Sequence, residues 1–150
     1  MMAAVEKEKE MEMERKEKVL WISRHEPLPA QIEELRRKLG DVEIVRISRS
    51  ISGVEEVVEI AKKERARFIV PVLPLSMIAR LAEYQKDGFT VLFARMTAVA
   101  TTRDMEEARR IVAEKPKWRN TASYADGVMR VFEFQGFERL VRVELITEPW

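Results

Sequence analysis

Apolar and polar positions alternate in two rhythms from residue 18 onward. "VLWIS" (19–23) is a short apolar run of strand formers, and in the "AQIEELRRKLG" that follows, Ile32, Leu35 and Leu39 share one helical face. Pro29 opens that helix and Gly40 stops it. "VEIVRI" (42–47) predicts a second strand. "SGVEEVVEIAKKE" predicts a second helix, with Val54, Val57, Val58 and Ala61 on its inner face and a capping-box pattern at Ser52 and Glu55. "RFIVPVL" (67–73) predicts the third strand, and "SMIARLAEYQK" a helix with Ile78, Leu81 and Ala82 inward, Ser76 as cap and Gly88 as stop. "FTVLFARM" (89–96) predicts the fourth strand. "TRDMEEARRIVAEK" predicts the fourth helix, with Met105, Ala108, Ile111 and Val112 inward, Thr102 as cap and Pro116 beyond its end. "VMRVFEFQGFERLVRVELITE" predicts two antiparallel strands that turn at Gln135–Gly136.

Strands alternating with helices require crossovers and so a parallel sheet. Continuous apolar strands such as "VLWI" and "FIVPVL" suit coverage on both faces. The expectation is therefore an α/β protein: a three-layer, Rossmann-like or flavodoxin-like, mostly parallel sheet of order 2-1-3-4 with a C-terminal antiparallel hairpin. Pro71 cannot donate to a ladder, which argues for a bulge or against a central third strand. The connection 115–127 is long for a compact domain and carries Trp118, Arg119 and Tyr124, which marks it as a candidate functional loop. Both faces of the predicted hairpin are apolar, so a homodimer through that hairpin or the adjacent sheet edge is expected.

Residues 6–18, "EKEKEMEMERKEK", break the pattern, with only Met11 and Met13 interrupting the charge. The expected organisation is a charged extension over 1–17, disordered or partly helical, followed by a single α/β domain over 18–150. The net charge of +1 gives no bulk attraction to nucleic acid or acidic lipid. The absence of cysteine excludes disulfides and thiolate chemistry. No apolar run approaches the roughly 20 residues of a membrane span, and the charged start is unlike a secretory signal, so a cytoplasmic setting is expected. Abundant Glu, Lys and Arg beside a single Asn and three Gln suit a hyperthermophilic source.

In open parallel sheets, ligands bind at the carboxyl ends of strands where the strand order reverses. That location selects Ser23, Arg24, His25 and Glu26 after strand 1, Arg49 and Ser50 after strand 2, Ser76 after strand 3 and Arg95 after strand 4. If strand 4 runs on to Val99, Thr101, Thr102 and Arg103 take the place of Arg95. Arginines and hydroxyls near helix N-termini suit a phosphate or carboxylate. The same hydroxyls would also serve as helix caps.

Catalytic chemistry is sparse in this set. His25 is the only histidine, with Glu26 beside it, and the two are the sole catalytic candidates. Strand, Arg-His and an acid resembles the histidine phosphatases, but "RHEP" lacks the glycine of their motif. The chain also has no second histidine, so that reading is rejected. No nucleophile elbow, dinucleotide fingerprint or phosphate-binding GxxxxGK[ST] loop is present. No metal site and no cofactor are expected.

Taken together, "VLWISRHEP", "VPVLPLSMIARL" and "FERLVRVELITE" resemble a group of small Rossmann-like α/β proteins of hyperthermophilic archaea and their plasmids or viruses, a group with no assigned activity. The architecture is also similar to the sensor domains of CRISPR-associated proteins, which bind nucleotide ligands as dimers at this end of the sheet. The first expectation is a non-catalytic, dimeric module for an anionic or nucleotide-like ligand. The alternatives are a small hydrolase or phosphoryl-transfer enzyme using His25, and an interaction protein of a mobile element.

Overall fold

The computed structural model describes residues 3–7 and 16–150. Met11 and Met13, with most of the charged run around them, lie outside the described residues; residues 3–7 are helical and exposed. The elements are β1 (Glu17–Ile22), α1 (Pro29–Leu39), β2 (Val42–Ile47), α2 (Val54–Glu64), β3 (Phe68–Pro71) and α3 (Leu75–Glu83), which runs into a 3₁₀ turn (Tyr84–Asp87). They continue with β4 (Thr90–Thr102), α4 (Met105–Glu114), β5 (Arg119–Ser123) and β6 (Met129–Arg139). The fold is α/β, and its strands hydrogen-bond in the order β2-β1-β3-β4-β6-β5. The first four strands are parallel neighbours and β5 pairs antiparallel with β6.

The chain forms two compact units. The first contains the described part of Met1–His25 with Gly40–Phe93 and Arg139–Trp150; the second contains Glu26–Leu39 and Ala94–Glu138. In the first unit, β1 is central, and Val19, Leu20, Trp21 and Ile22 are all buried because both faces of the strand are covered. Its core joins Leu20, Ile22 and Ile69 to Val54, Val57 and Ala61 of α2 and Leu81 of α3. The spacing of the α2 residues places them on one stripe. The helix ends at Arg65, whose left-handed backbone (φ 57°) lets its N–H return to the carbonyls of Ala61 and Lys62.

Pro71 sits in a central strand, and the way it is accommodated is clear. Alternate residues of a parallel strand bond to opposite neighbours. Val72 N–H donates to Ile22 C=O (2.8 Å) on the β1 side, so Pro71 faces β4. The β3–β4 register runs only from Phe68↔Thr90 to Ile69↔Val91. Pro71, the last strand residue, therefore lacks its N–H where no ladder remains to use it.

The second unit contains α1, most of β4, α4 and the β5–β6 hairpin. Ala108, Met129 and Val131 form its small core with Ala100, Ile111 and Val112. The Gln31 carboxamide, 5% exposed, accepts from Leu28 N–H at 2.7 Å and closes the first turn of α1. Arg119 ties α4 to the hairpin: its guanidinium donates to Ile111 C=O (2.9 Å), Glu114 (3.2 Å) and Glu133 (3.2 Å).

Several local expectations are corrected. The hairpin does not turn at Gln135–Gly136: β6 runs through both residues, and residues 140–150 form no strand. The turn lies at Tyr124–Val128, where Gly127 takes φ 76° and Asp126 Oδ1 accepts from Val128 N–H at 3.0 Å. Asp-Gly is a strong hairpin signal, and Arg130 stacking on Tyr124 at 4.3 Å reinforces it. Residues 119–123 of the expected loop 115–127 are accordingly a strand. The caps differ as well. Asp104, not Thr102, caps α4 by accepting from Glu106 N–H at 3.0 Å. Ser52 bonds Glu56 rather than Glu55, because α2 begins one residue later, after Gly53. Ser76 lies inside α3, whose cap position is Pro74.

Candidate functional site

The register places the ends of three strands level. Ile22 is opposite Ile47 on one side and Pro71 on the other, so the loops after β1, β2 and β3 leave the sheet side by side. β1 has the next strand in sequence, β2, on one flank and β3 on the other, which makes this the point where the strand order reverses.

Arg24 and Ser50 meet here: the Arg24 guanidinium donates to Ser50 Oγ at 3.4 Å. Arg46 Nη2 donates to Arg24 C=O at 2.7 Å and braces the β1 loop from the end of β2. Ser23 is buried, and its hydroxyl accepts from the backbone N–H of His25 at 3.1 Å. Ser23 thus shapes the turn that exposes Arg24 and His25. Its hydroxyl faces a backbone amide, so it does not form the Ser–His contact of an activated nucleophile. The imidazole of His25 is exposed and makes no hydrogen bond or ion pair with any described residue. A general acid–base is normally oriented by a partner.

Arg49 binds Glu56 and donates to Ser50 C=O at 3.3 Å. Glu56 also accepts from Ser52 N–H (2.9 Å) and Ser52 Oγ (2.7 Å). These bonds, from the Ser52 amide first, then its hydroxyl and Arg49, hold the Glu56 carboxyl down at about 2. Arg49 is therefore paired with a carboxylate, whereas Arg24 has no carboxylate within 4.0 Å among the described residues. Ser76 is exposed in the first turn of α3, a turn with no acidic residue; the first turn of α2 carries Glu55 and Glu56. Of the two, α3 presents the more positive N-terminus.

Two residues from the sequence-derived set lie elsewhere. Arg95 is in the middle of β4, not at its carboxyl end, and bonds Glu138 at 3.3 Å within the second unit. It is displaced because β4 runs to Thr102, well past the expected end at Met96. Glu26 is exposed and opens the second unit. Two contributors were missed, Arg46 and Glu56. No local signal marks Arg46, which sits near the end of β2 and reaches back to the Arg24 carbonyl.

The described residues hold no cluster of three or more His, Asp or Glu side chains suited to a metal. A groove of about 460 Å³ in the first unit lies at the opposite, amino ends of the strands, lined by Lys16, Glu17, Lys62, Arg65, Arg67 and Phe89 among others. Its charges are partly satisfied: Glu17 binds Arg67, and Lys16 approaches Asp41 at 3.9 Å. A second hollow, about 440 Å³, lies in the second unit between Lys115, Trp118, Glu133 and Phe134. Trp118, 43% exposed, forms its rim and stacks toward buried Phe134 at 6.2 Å.

Neither protein-family models nor comparisons with curated proteins and with solved structures give a match to this chain.

Proposed function

We propose that this protein is a non-catalytic, dimeric binding module whose first unit holds a small phosphate-class anion, free or as part of a nucleotide, at the carboxyl ends of β1, β2 and β3. A single observation carries the reading: the exposed Arg24 guanidinium, placed at the switch point, has a neutral hydroxyl as its partner and no carboxylate among the described residues. An arginine fork presents paired donors that match phosphate. Ser50 supplies a hydroxyl beside it, and the acid-free first turn of α3 adds a favourable dipole from the neighbouring strand end. The cytoplasm is the setting this reading adopts; no helix among the described residues is long and apolar enough to cross a membrane.

Calorimetric titration with inorganic phosphate, pyrophosphate and nucleoside mono- and diphosphates tests it. Binding of at least one of them is expected, weakened at least tenfold by Arg24→Ala and less by Arg24→Lys, which keeps the charge but loses the fork. Undiminished binding in Arg24→Ala, or none across the panel, would overturn the proposal. The same panel assayed for product separates the enzyme alternative: turnover abolished by His25→Ala contradicts a non-catalytic module.

A further inference from the structure

Residues 141–150, "VRVELITEPW", carry the alternation of a strand but pair with no strand among the described residues. The segment is anchored at its root. Leu140 N–H donates to Val91 C=O at 2.9 Å, and the Gln85 carboxamide donates to Leu140 C=O at 2.7 Å. From residue 142 onward no backbone N–H or C=O has a hydrogen-bond partner among the described residues; the one ion pair is Arg142 with Glu144 at 3.5 Å, and Val143 is 39% exposed. Leu145 and Ile146 are 90% and 87% exposed, and Trp150 is fully exposed. A strand-forming segment with unpaired backbone and bare apolar side chains is a template for pairing with another chain.

The first unit also has an open edge. β2 is the outermost strand of the sheet, and no described strand pairs with its outer side. Its sequence, "VEIVRI", fits the arm in one antiparallel register. With Glu144 opposite Arg46, Val143 falls opposite Ile47, Leu145 opposite Val45 and Ile146 opposite Ile44. Val45 and Ile47 pack against the core of the first unit, so Leu145 and Val143 would extend that apolar face. The Glu144–Arg46 pair would add an opposite-charge contact on the other face.

We infer that residues 142–147 add as an antiparallel strand to the β2 edge of a second copy of this chain, and that the exchange is reciprocal. An isologous dimer then satisfies both arms and both edges by one two-fold operation. At about 3.4 Å per residue, nine residues beyond Val141 span about 30 Å, enough to lay six along a neighbour's strand. The arm itself alternates Arg142, Glu144 and Glu148 among its apolar residues. It carries no cluster of basic residues to favour an acidic surface, and its charge pattern complements the edge strand of its own sequence.

The test is sedimentation velocity with the full chain, a chain ending at Val141, Glu144→Arg, and Glu144→Arg with Arg46→Glu. Among the described residues the truncation removes no hydrogen bond or ion pair apart from Arg142–Glu144, and circular dichroism of the truncated chain checks that it is folded before sedimentation. The full chain is expected to sediment as two 17.6-kDa subunits and the truncated chain as one. Like charges opposed across a strand pair should weaken the Glu144→Arg dimer about tenfold, and the double variant should restore it. A monomeric full chain, a truncated chain that remains dimeric, or a double variant no tighter than Glu144→Arg would overturn the inference.

Discussion

The Gln85 carboxamide joins three segments of the first unit, and its removal can be given a magnitude. Its oxygen accepts from Val91 N–H at 2.9 Å, and its nitrogen donates to Leu140 C=O at 2.7 Å. Val91 is fully buried, so in Gln85→Met its N–H would lose its partner where water cannot replace it. Such an orphaned donor costs about 1–3 kcal/mol, and the bond to Leu140 contributes about 1 kcal/mol more. Methionine keeps the length and much of the volume of glutamine, so packing loss adds little. The expected destabilisation is about 3 kcal/mol, which for a chain of this size lowers the melting temperature by about 6–12 °C. Urea unfolding followed by circular dichroism, with thermal melts, measures it. Gln85→Glu serves as the control: it keeps an acceptor for Val91 but turns a carboxylate toward the Leu140 carbonyl, so its deficit should shrink as acid protonates it. A Gln85→Met protein within about 0.5 kcal/mol of the parent, the scatter of ordinary surface substitutions, would refute the reasoning.

The Glu56 carboxyl, held at about 2 against an ordinary 4.5, contributes stability that is complete above pH 4.5 and is lost as the pH falls toward 2. Glu56→Gln should flatten that acid limb in chemical melts taken across the window; an unchanged limb would show that Ser52 and Arg49 do not hold it. Asp104→Ala removes the side-chain cap of α4 and should cost about 0.5–2 kcal/mol by urea unfolding; a variant as stable as the parent would show that the cap contributes nothing. Gly127→Ala forces a Cβ into φ 76° at the hairpin turn and should cost about 1–2 kcal/mol, though nothing crowds the added methyl. A Gly127→Ala protein as stable as the parent would mean that the turn relaxes out of the left-handed region.

The βα alternation, the parallel pairing and the order of the first four strands were legible because each rests on local periodicity plus the need to bury continuous apolar strands. The C-terminal half was less so. "EFQGFERL" and "ASYADGVM" both hold a glycine between strand formers, and composition alone does not say which bends. The structure turns at the second, where Asp126 supplies an acceptor that Gln135 does not. The helix caps slipped by one or two residues for a related reason: Ser52, Ser76 and Thr102 each stand near a helix start, and the chain geometry selects the cap from among near neighbours. Of the candidate site, the loop Ser23–His25 and its neighbour Ser50 were recoverable from the strand ends. Arg46 was not, because a strand residue reaching back to a loop carbonyl depends on pairing register, which is a long-range property.

Amide chemical-shift mapping, with the phosphate-class ligand that binds most tightly titrated into the isotopically labelled full chain, tests the central claim most directly. Binding at the switch point predicts saturable shifts concentrated at Ser23–His25, Arg49–Gly53 and Leu75–Met77, abolished in Arg24→Ala. Shifts concentrated instead around Lys62, Arg65 and Phe89 at the other end of the strands, or none that saturate, would contradict it.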